Sequence, residues 1–178
     1  MADLQSLKAK ICITAAGVLI HQQRVLLIKH KKVGFWLNPG GHVESNELPH
    51  RAAEREFWEE TAIDVKARPY GMMWDNPDSE YVPSPFSTNI HWACQDNYVS
   101  RVNNMPPTEY AKKHWKKGCE QHLNALYLME PVGSVVFKEN VEETDGIAWF
   151  TLKEVENLDT AEQIKQEVKF AFSISAKK

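Results

Sequence analysis

Several absences in this sequence exclude whole classes of protein. No apolar run approaches the roughly 20 residues that a membrane-spanning helix requires, and the opening "MADLQSLKAK" has no apolar signal core. No block of like charge occurs. With 21 basic and 24 acidic residues the formal charge is −3, so there is no broad positive field of the kind that drives non-specific nucleic-acid binding. Cysteine is scarce: Cys12, Cys94 and Cys119 are odd in number and far apart, with no CxxC pair to suggest a zinc site or redox dithiol, and read as reduced thiols. The expectation is a soluble cytoplasmic protein with no membrane attachment and no stable nucleic-acid partner. A phosphate-bearing ligand would then need local cations or a metal.

What is present is enough apolar residue, 43% of 178, for one globular domain with a sizeable core. "ICITAAGVLI" (11–20) and "RVLLIK" (24–29) are β-branched and apolar on either side of a polar "HQQ", which predicts two antiparallel strands joined by a short turn. "KKVGFWLNPGGHVE" holds Gly34, Pro39, Gly40 and Gly41 and reads as a loop or bulged strand. A helix is predicted to about Glu60, with Asn46 as N-cap and Pro49 in its first turn. Strands follow at "IDVKARPYGMMW" (63–74), "HLNALYLME" (122–130) and "GIAWFTL" (146–152). Residues 75–121, with five prolines and a basic "KKHWKK", read as an insertion with a short helix near 108–117, serving either as a solvated excursion or as a lid. From Thr160, Ile164, Val168 and Phe172 recur at helical spacing and predict a core-packed C-terminal helix.

The chemistry-bearing residues crowd onto the first helix. Glu56, Glu59 and Glu60 stand at i, i+3 and i+4, so their carboxylates share one face and repel by a few tenths of a kcal/mol per pair. Clustered carboxylate oxygens are what hard divalent cations such as Mg²⁺ and Mn²⁺ select. Taken alone, the three glutamates read sooner as a solvated acidic face balanced by Arg51 and Arg55. The longer pattern tips the balance: Gly41, five residues, Glu47, seven residues, then "REFWEETAI". Six fixed identities at set spacing would arise by chance at roughly one start in ten million.

This segment resembles the Nudix box, and through it the chain resembles the Nudix hydrolases. The resemblance implies an α+β fold with a mixed, partly antiparallel sheet between helices. It implies a Mg²⁺- or Mn²⁺-dependent hydrolase that cleaves a phosphoanhydride in a nucleoside diphosphate linked to another group. By the same resemblance Glu59 and Glu60 are the principal metal ligands, Glu56 is a ligand or orients the attacking water, and the Gly40 carbonyl is a further ligand. Arg55 and Glu47 pair to hold the loop onto the helix. An added acid from "ENVEETDGIAW" is assigned to Glu143, six residues before Trp149. The departure is Ala62, where the family carries glycine. It leaves alanine either strained in a left-handed conformation or ending the helix another way.

Substrate contacts are less legible. Lys29, Lys31 and Lys32 precede the glycine loop and are candidates to neutralise phosphate, while Phe35, Trp36 and Trp74 are candidates to stack on a base. Tyr81, 18 residues after Ile63, resembles the tyrosine placement of dinucleoside polyphosphate hydrolases, and "VPSPFS" echoes part of an NADH pyrophosphatase signature. His91, His114 and His122 are candidate contacts, with His122 preferred. Two other classes stay open: a nucleotide-sensing module that keeps the fold, and a prenyl-diphosphate isomerase, which would need a suitably placed catalytic cysteine. The oligomeric state is open, with a homodimer as one arrangement.

Overall fold

A computed structural model of the chain describes residues 8–175; the opening residues read above for a signal core lie largely outside them. Strand β1 (Ile11–His21) and strand β2 (Arg24–His30) form the expected hairpin, with Gln22 and Gln23 at positive φ in its turn. The glycine-rich stretch becomes two short strands, β3 (Trp36–Leu37) and β4 (Gly40–His42). Helix α1 (Pro49–Thr61) follows, then β5 (Val65–Arg68), β6 (Ser87–Trp92), α2 (Gln95–Val102), α3 (Glu109–His114), β7 (Gln121–Pro131), β8 (Thr144–Phe150), α4 (Leu152–Glu156) and α5 (Glu162–Ser175).

The eight strands make a mixed sheet. β1 runs parallel to β7 and antiparallel to β2 and β4, β8 pairs with β2, and β5 and β6 both pair with β7. Alternation along the central strands sends side chains to two buried faces. Ala15, Leu19, Leu26, Tyr127 and Met129 meet Ala52, Ala53 and Phe57 of α1, while Val18, Val25, Leu27, Leu126 and Leu128 meet Val168, Ala171 and Ile174 of α5. That is why the strands read as near-continuous apolar runs. Ile164 and Phe172 pack partly buried on the second face, so the C-terminal stripe is core, as expected.

Three local expectations need correction. Asn46 is not the N-cap of α1: Leu48 is, with no side-chain cap bond, and Asn46 takes φ 64° in the preceding turn, a conformation asparagine tolerates. The strand expected over 63–74 stops at Arg68, because Pro69 has no N–H to donate. Its partner strand is also shared: β5 occupies Leu128–Pro131 of β7, and β6 takes Gln121–Leu126. The proline-rich 75–121 stretch therefore carries a strand and α2 as well as the expected short helix.

Ala62 adopts the left-handed conformation, φ 56° and ψ 21°, and its N–H reaches the Trp58 carbonyl at 2.7 Å. Of the two alternatives read from the sequence, the strained one is the case. Ala62→Gly should raise stability by about 1 kcal/mol, since glycine meets no Cβ penalty there, and should raise Tm by roughly 2–4 °C in a chain of this size. Thermal denaturation of the two proteins checks this; an unchanged or lower Tm would show that the cap carries no strain.

Candidate active site

The site is built where the β4 loop crosses α1. Residues Gly40 and Gly41 pair with Ala16 and Ala15 of β1, which lays their backbone beside the helix. Space requires both glycines. A Cβ on Gly40 would fall 2.5 Å from the Ala15 carbonyl oxygen and 2.6 Å from the Ala16 Cα, and a Cβ on Gly41 would fall 2.4 Å from the Glu56 carboxylate. The Gly41 contact is with a side chain, so Gly41→Ala is expected to fold but to displace Glu56. Turnover should drop by one to two orders of magnitude with little change in Tm; near-normal turnover would mean that the position of Glu56 is unimportant.

Arg55 ties the loop to the helix. Its Nε donates to Glu47 Oε1 at 2.8 Å and its Nη2 to Glu47 Oε2 at 2.9 Å, a two-pronged pair. Nη2 also donates to the His42 carbonyl at 3.0 Å, and Nη1 lies 2.9 Å from Glu56 Oε1 and 3.1 Å from Glu59 Oε2. Chiefly through the Glu47 bond, Arg55 is held cationic even more firmly than usual, and the same bond holds the Glu47 carboxyl below its ordinary range.

The remaining acids outnumber the cations. Glu60 is 2% exposed and accepts one hydrogen bond, from the Gly40 N–H at 2.9 Å. Burial pushes its carboxyl up to about 9 despite that bond, with Glu56, Glu143 and Glu59 adding repulsion. Burial also raises Glu56, opposed by Arg55 and reinforced by Glu59 and Glu143. Glu59 remains 40% exposed at the side chain. The turn carrying Glu143 docks against the end of α1: the Lys138 N–H donates to the Thr61 carbonyl at 2.8 Å, and Asn140 Nδ2 to the Glu59 carbonyl at 3.3 Å. Lys31 fastens the same turn, its N–H donating to the Glu143 carbonyl at 3.1 Å and its Nζ reaching the Val141 carbonyl.

The structure thus brings together Gly40, Glu47, Arg55, Glu56, Glu59, Glu60 and Glu143. Of the substrate candidates, Lys31 fastens the Glu143 turn, while Trp36, Trp74, Tyr81 and His122 lie elsewhere. Trp36 packs edge-on against Phe150 at 4.8 Å between ring centres and belongs to the core on the α5 side, with Lys29 opposite it in the β2–β3 register. Trp74 and Tyr81 are exposed and line an open depression of about 560 Å³ built entirely from residues 74–81, a surface feature of one segment. His122 lies buried against the rings of His42 and His91, and burial followed by those neighbours pushes it down to about 3, leaving it neutral. Sequence reasoning missed Asn140 and the approach of Lys117, for which the basic run 112–117 was the available signal; together with Lys32, a candidate from the sequence, Lys117 helps to lower His42 after burial has done most of it.

An excess of buried oxygen donors over local cations, with Arg55 already committed to Glu47, suits a hard divalent cation. A mixed sheet between helices, with this box on the loop and helix that cross its first strand, defines the Nudix hydrolase class. Comparison with known proteins agrees. Residues 13–172 match the NUDIX domain family. A MutT-like protein of Streptomyces ambofaciens is 40% identical over 105 residues, 51% of this chain and 68% of the relative. An 8-oxo-dGTP diphosphatase of Proteus vulgaris is 41% identical over 56 residues, 29% of this chain and half of the relative. A NUDIX-family hydrolase of Clostridium perfringens shares the fold with a TM-score of 0.65 at 20% identity, over 92% of this chain and 97% of the other. The chain belongs to the NUDIX domain family, whose hydrolases act on small nucleotides with divalent metal ions.

Proposed function

We propose that the protein hydrolyses a phosphoanhydride in a nucleoside diphosphate linked to another group, with Mg²⁺ or Mn²⁺ held by Glu56, Glu59, Glu60 and the Gly40 carbonyl. The observation that carries this reading is Glu60: a carboxyl buried to 2% exposure with one backbone donor and two further acids on its own helix face. Such an arrangement costs stability unless a cation offsets it. A divalent cation bound there supplies charge neutralisation for phosphate oxygens and lowers the pKa of water.

The chain's own groups divide the remaining work. Glu56, desolvated and raised above its usual range, suits acceptance of a proton from an attacking water. Arg55 keeps the loop in register with the helix and limits the rotamers open to Glu56 and Glu59. Glu143, on a turn fixed by Asn140 and Lys31, adds a fourth carboxylate. Lys32 and Lys117, close enough to act on His42, and Lys31, on the Glu143 turn, are the candidate cations to meet phosphate. The relative named as an 8-oxo-dGTP diphosphatase supports a nucleoside triphosphate as substrate, cleaved to a monophosphate and pyrophosphate.

The test is a panel of nucleoside triphosphates, dinucleoside polyphosphates, nucleotide sugars and NADH, followed by identification of the products. Turnover of triphosphates with release of pyrophosphate is expected. Turnover confined to another class would reassign the substrate, and no turnover by protein that binds Mn²⁺ would favour a sensing role.

A further inference from the structure

The fold assembles a second group of metal-type ligands, chemically unlike the first and independent of the hydrolase reading. Cys12, near the start of β1, and Cys119, just before β7, are 107 positions apart in sequence, yet their sulfurs lie 2.8 Å apart. His42, at the end of β4, places Nε2 3.1 Å from the Cys119 sulfur. The three donor atoms all lie within 4.8 Å of one another. Parallel pairing of β1 with β7 sets Cys12 directly opposite His122, and the His122 ring stands 5.0 Å from that of His42, centre to centre. His122 is 9% exposed, and its Nε2 is buried without a hydrogen-bond partner. Trp115 closes over it at 5.8 Å between ring centres.

From these positions we infer that Cys12, His42 and Cys119 bind a thiophilic transition-metal ion, with zinc as the reference case, and that His122 turns to supply the fourth donor. Two thiolates and two imidazoles form a soft, tetrahedral ligand set, which selects zinc-like ions over the hard cations that carboxylates choose. Given metal–sulfur and metal–nitrogen bonds near 2.3 and 2.0 Å, neighbouring donors in such a site stand roughly 3.3–3.8 Å apart. The two sulfurs therefore need to separate by about 1 Å and the His42 nitrogen to shift by a few tenths of an ångström from Cys119, side-chain adjustments to which the turn of His122 is added. A disulfide between Cys12 and Cys119 would use the sulfurs but leave the convergence of His42 and the unpartnered His122 nitrogen without a role. Hydrogen bonding between thiols leaves the same nitrogen unsatisfied, which is costly in a buried site.

The ion would clamp the start of β1, the end of β4 and the entry to β7. This position matters because the His42 carbonyl accepts from Arg55, so the clamp adjoins the loop that carries Gly40 and Gly41. Its function is to hold that loop, and no step of hydrolysis passes through it.

Metal analysis of the purified full-length chain, dialysed against metal-free buffer containing excess Mg²⁺, tests the inference without reference to activity. About one zinc per chain is expected to be retained. Cys12→Ser and Cys119→Ser should each lose it, His122→Ala should weaken zinc at least tenfold in competition with a chromophoric chelator, and Glu60→Gln should keep it. Replacement by cobalt should give thiolate-to-cobalt charge transfer and the visible bands of a tetrahedral ion. The unsubstituted protein decides the matter even if a variant fails to fold. Protein with no retained zinc and all three thiols free would overturn the inference. So would metal-free protein whose mass shows a Cys12–Cys119 disulfide.

Discussion

In chelator, Glu60→Gln is expected to be more stable than the parent protein, by up to about 3 kcal/mol at pH 7. The reasoning is linkage. Glu60 is raised to about 9 in the folded state from 4.5, so its favourable contribution is complete below 4.5 and is lost as pH rises toward 9. Between pH 7 and 8 the unfolded chain has released this proton and the native chain still holds it. The Glu60 contribution to stability should therefore fall by about 1.4 kcal/mol per pH unit. The histidines that burial lowers are neutral in the folded chain but still bind protons in the unfolded chain near pH 7, an opposing slope common to both proteins, so the Glu60 contribution is read as the difference between them. Glutamine mimics the protonated carboxyl in shape and keeps an acceptor for the Gly40 N–H, so the variant should lose the Glu60 slope. Denaturant titrations at pH 7, 7.5 and 8 read both quantities. A parallel slope in the two proteins would show that the Glu60 carboxylate is not strained in the absence of metal. Mg²⁺ should stabilise the parent and not the variant, the pattern of a site that trades stability for function.

Arg55→Ala should have the largest effect of any change outside the carboxylates: a loss of about 2 kcal/mol in stability and of one to two orders of magnitude in turnover. The substitution removes a two-pronged pair with Glu47, the bond to the His42 carbonyl and the contacts to Glu56 and Glu59. It leaves the half-buried Glu47 and Glu56 carboxylates without the cation they share. Arg55→Lys should recover little, because an ammonium cannot span both Glu47 oxygens. The acid limb supplies a readout specific to the pair. Glu47 is lowered in the folded state, so its stabilisation is present above about 4.5 and is lost as pH falls through the lower folded value. Arg55→Ala should lack that step between the two values, whereas a generally loosened protein would keep it. Full recovery by lysine would show that charge alone matters.

The box was legible because its chemistry demands particular residues at helical and loop spacings within one continuous segment. Glu47, Arg55 and the three helix glutamates stand where that spacing implies, and Ala62 was flagged as a site of strain. The apolar central strands and the C-terminal helix were readable from periodicity, since both faces of those strands are buried and α5 buries one stripe, whereas the mixed sheet was implied by the resemblance. Strand β6 was not, because it lies between Pro85 and a stretch of polar and aromatic residues, and exists only because β7 has a free edge beyond β5. Asn46 was misread because an N-cap preference and a left-handed turn preference belong to the same residue type. The Cys12, His42, Cys119 and His122 group was invisible for a different reason. Its members are scattered over 111 positions of sequence and meet only through the pairing of β1 with both β7 and β4, which no local pattern encodes.

The central claim is that the glutamates of α1 converge to hold a cation for hydrolysis. Steady-state turnover of the double variant Glu59→Gln with Glu60→Gln, on the best substrate of the nucleotide panel and at saturating Mg²⁺, tests it most directly. A drop of at least two orders of magnitude, with a native circular dichroism spectrum and undiminished stability in chelator, is predicted. Near-normal hydrolysis by the folded variant would contradict the account.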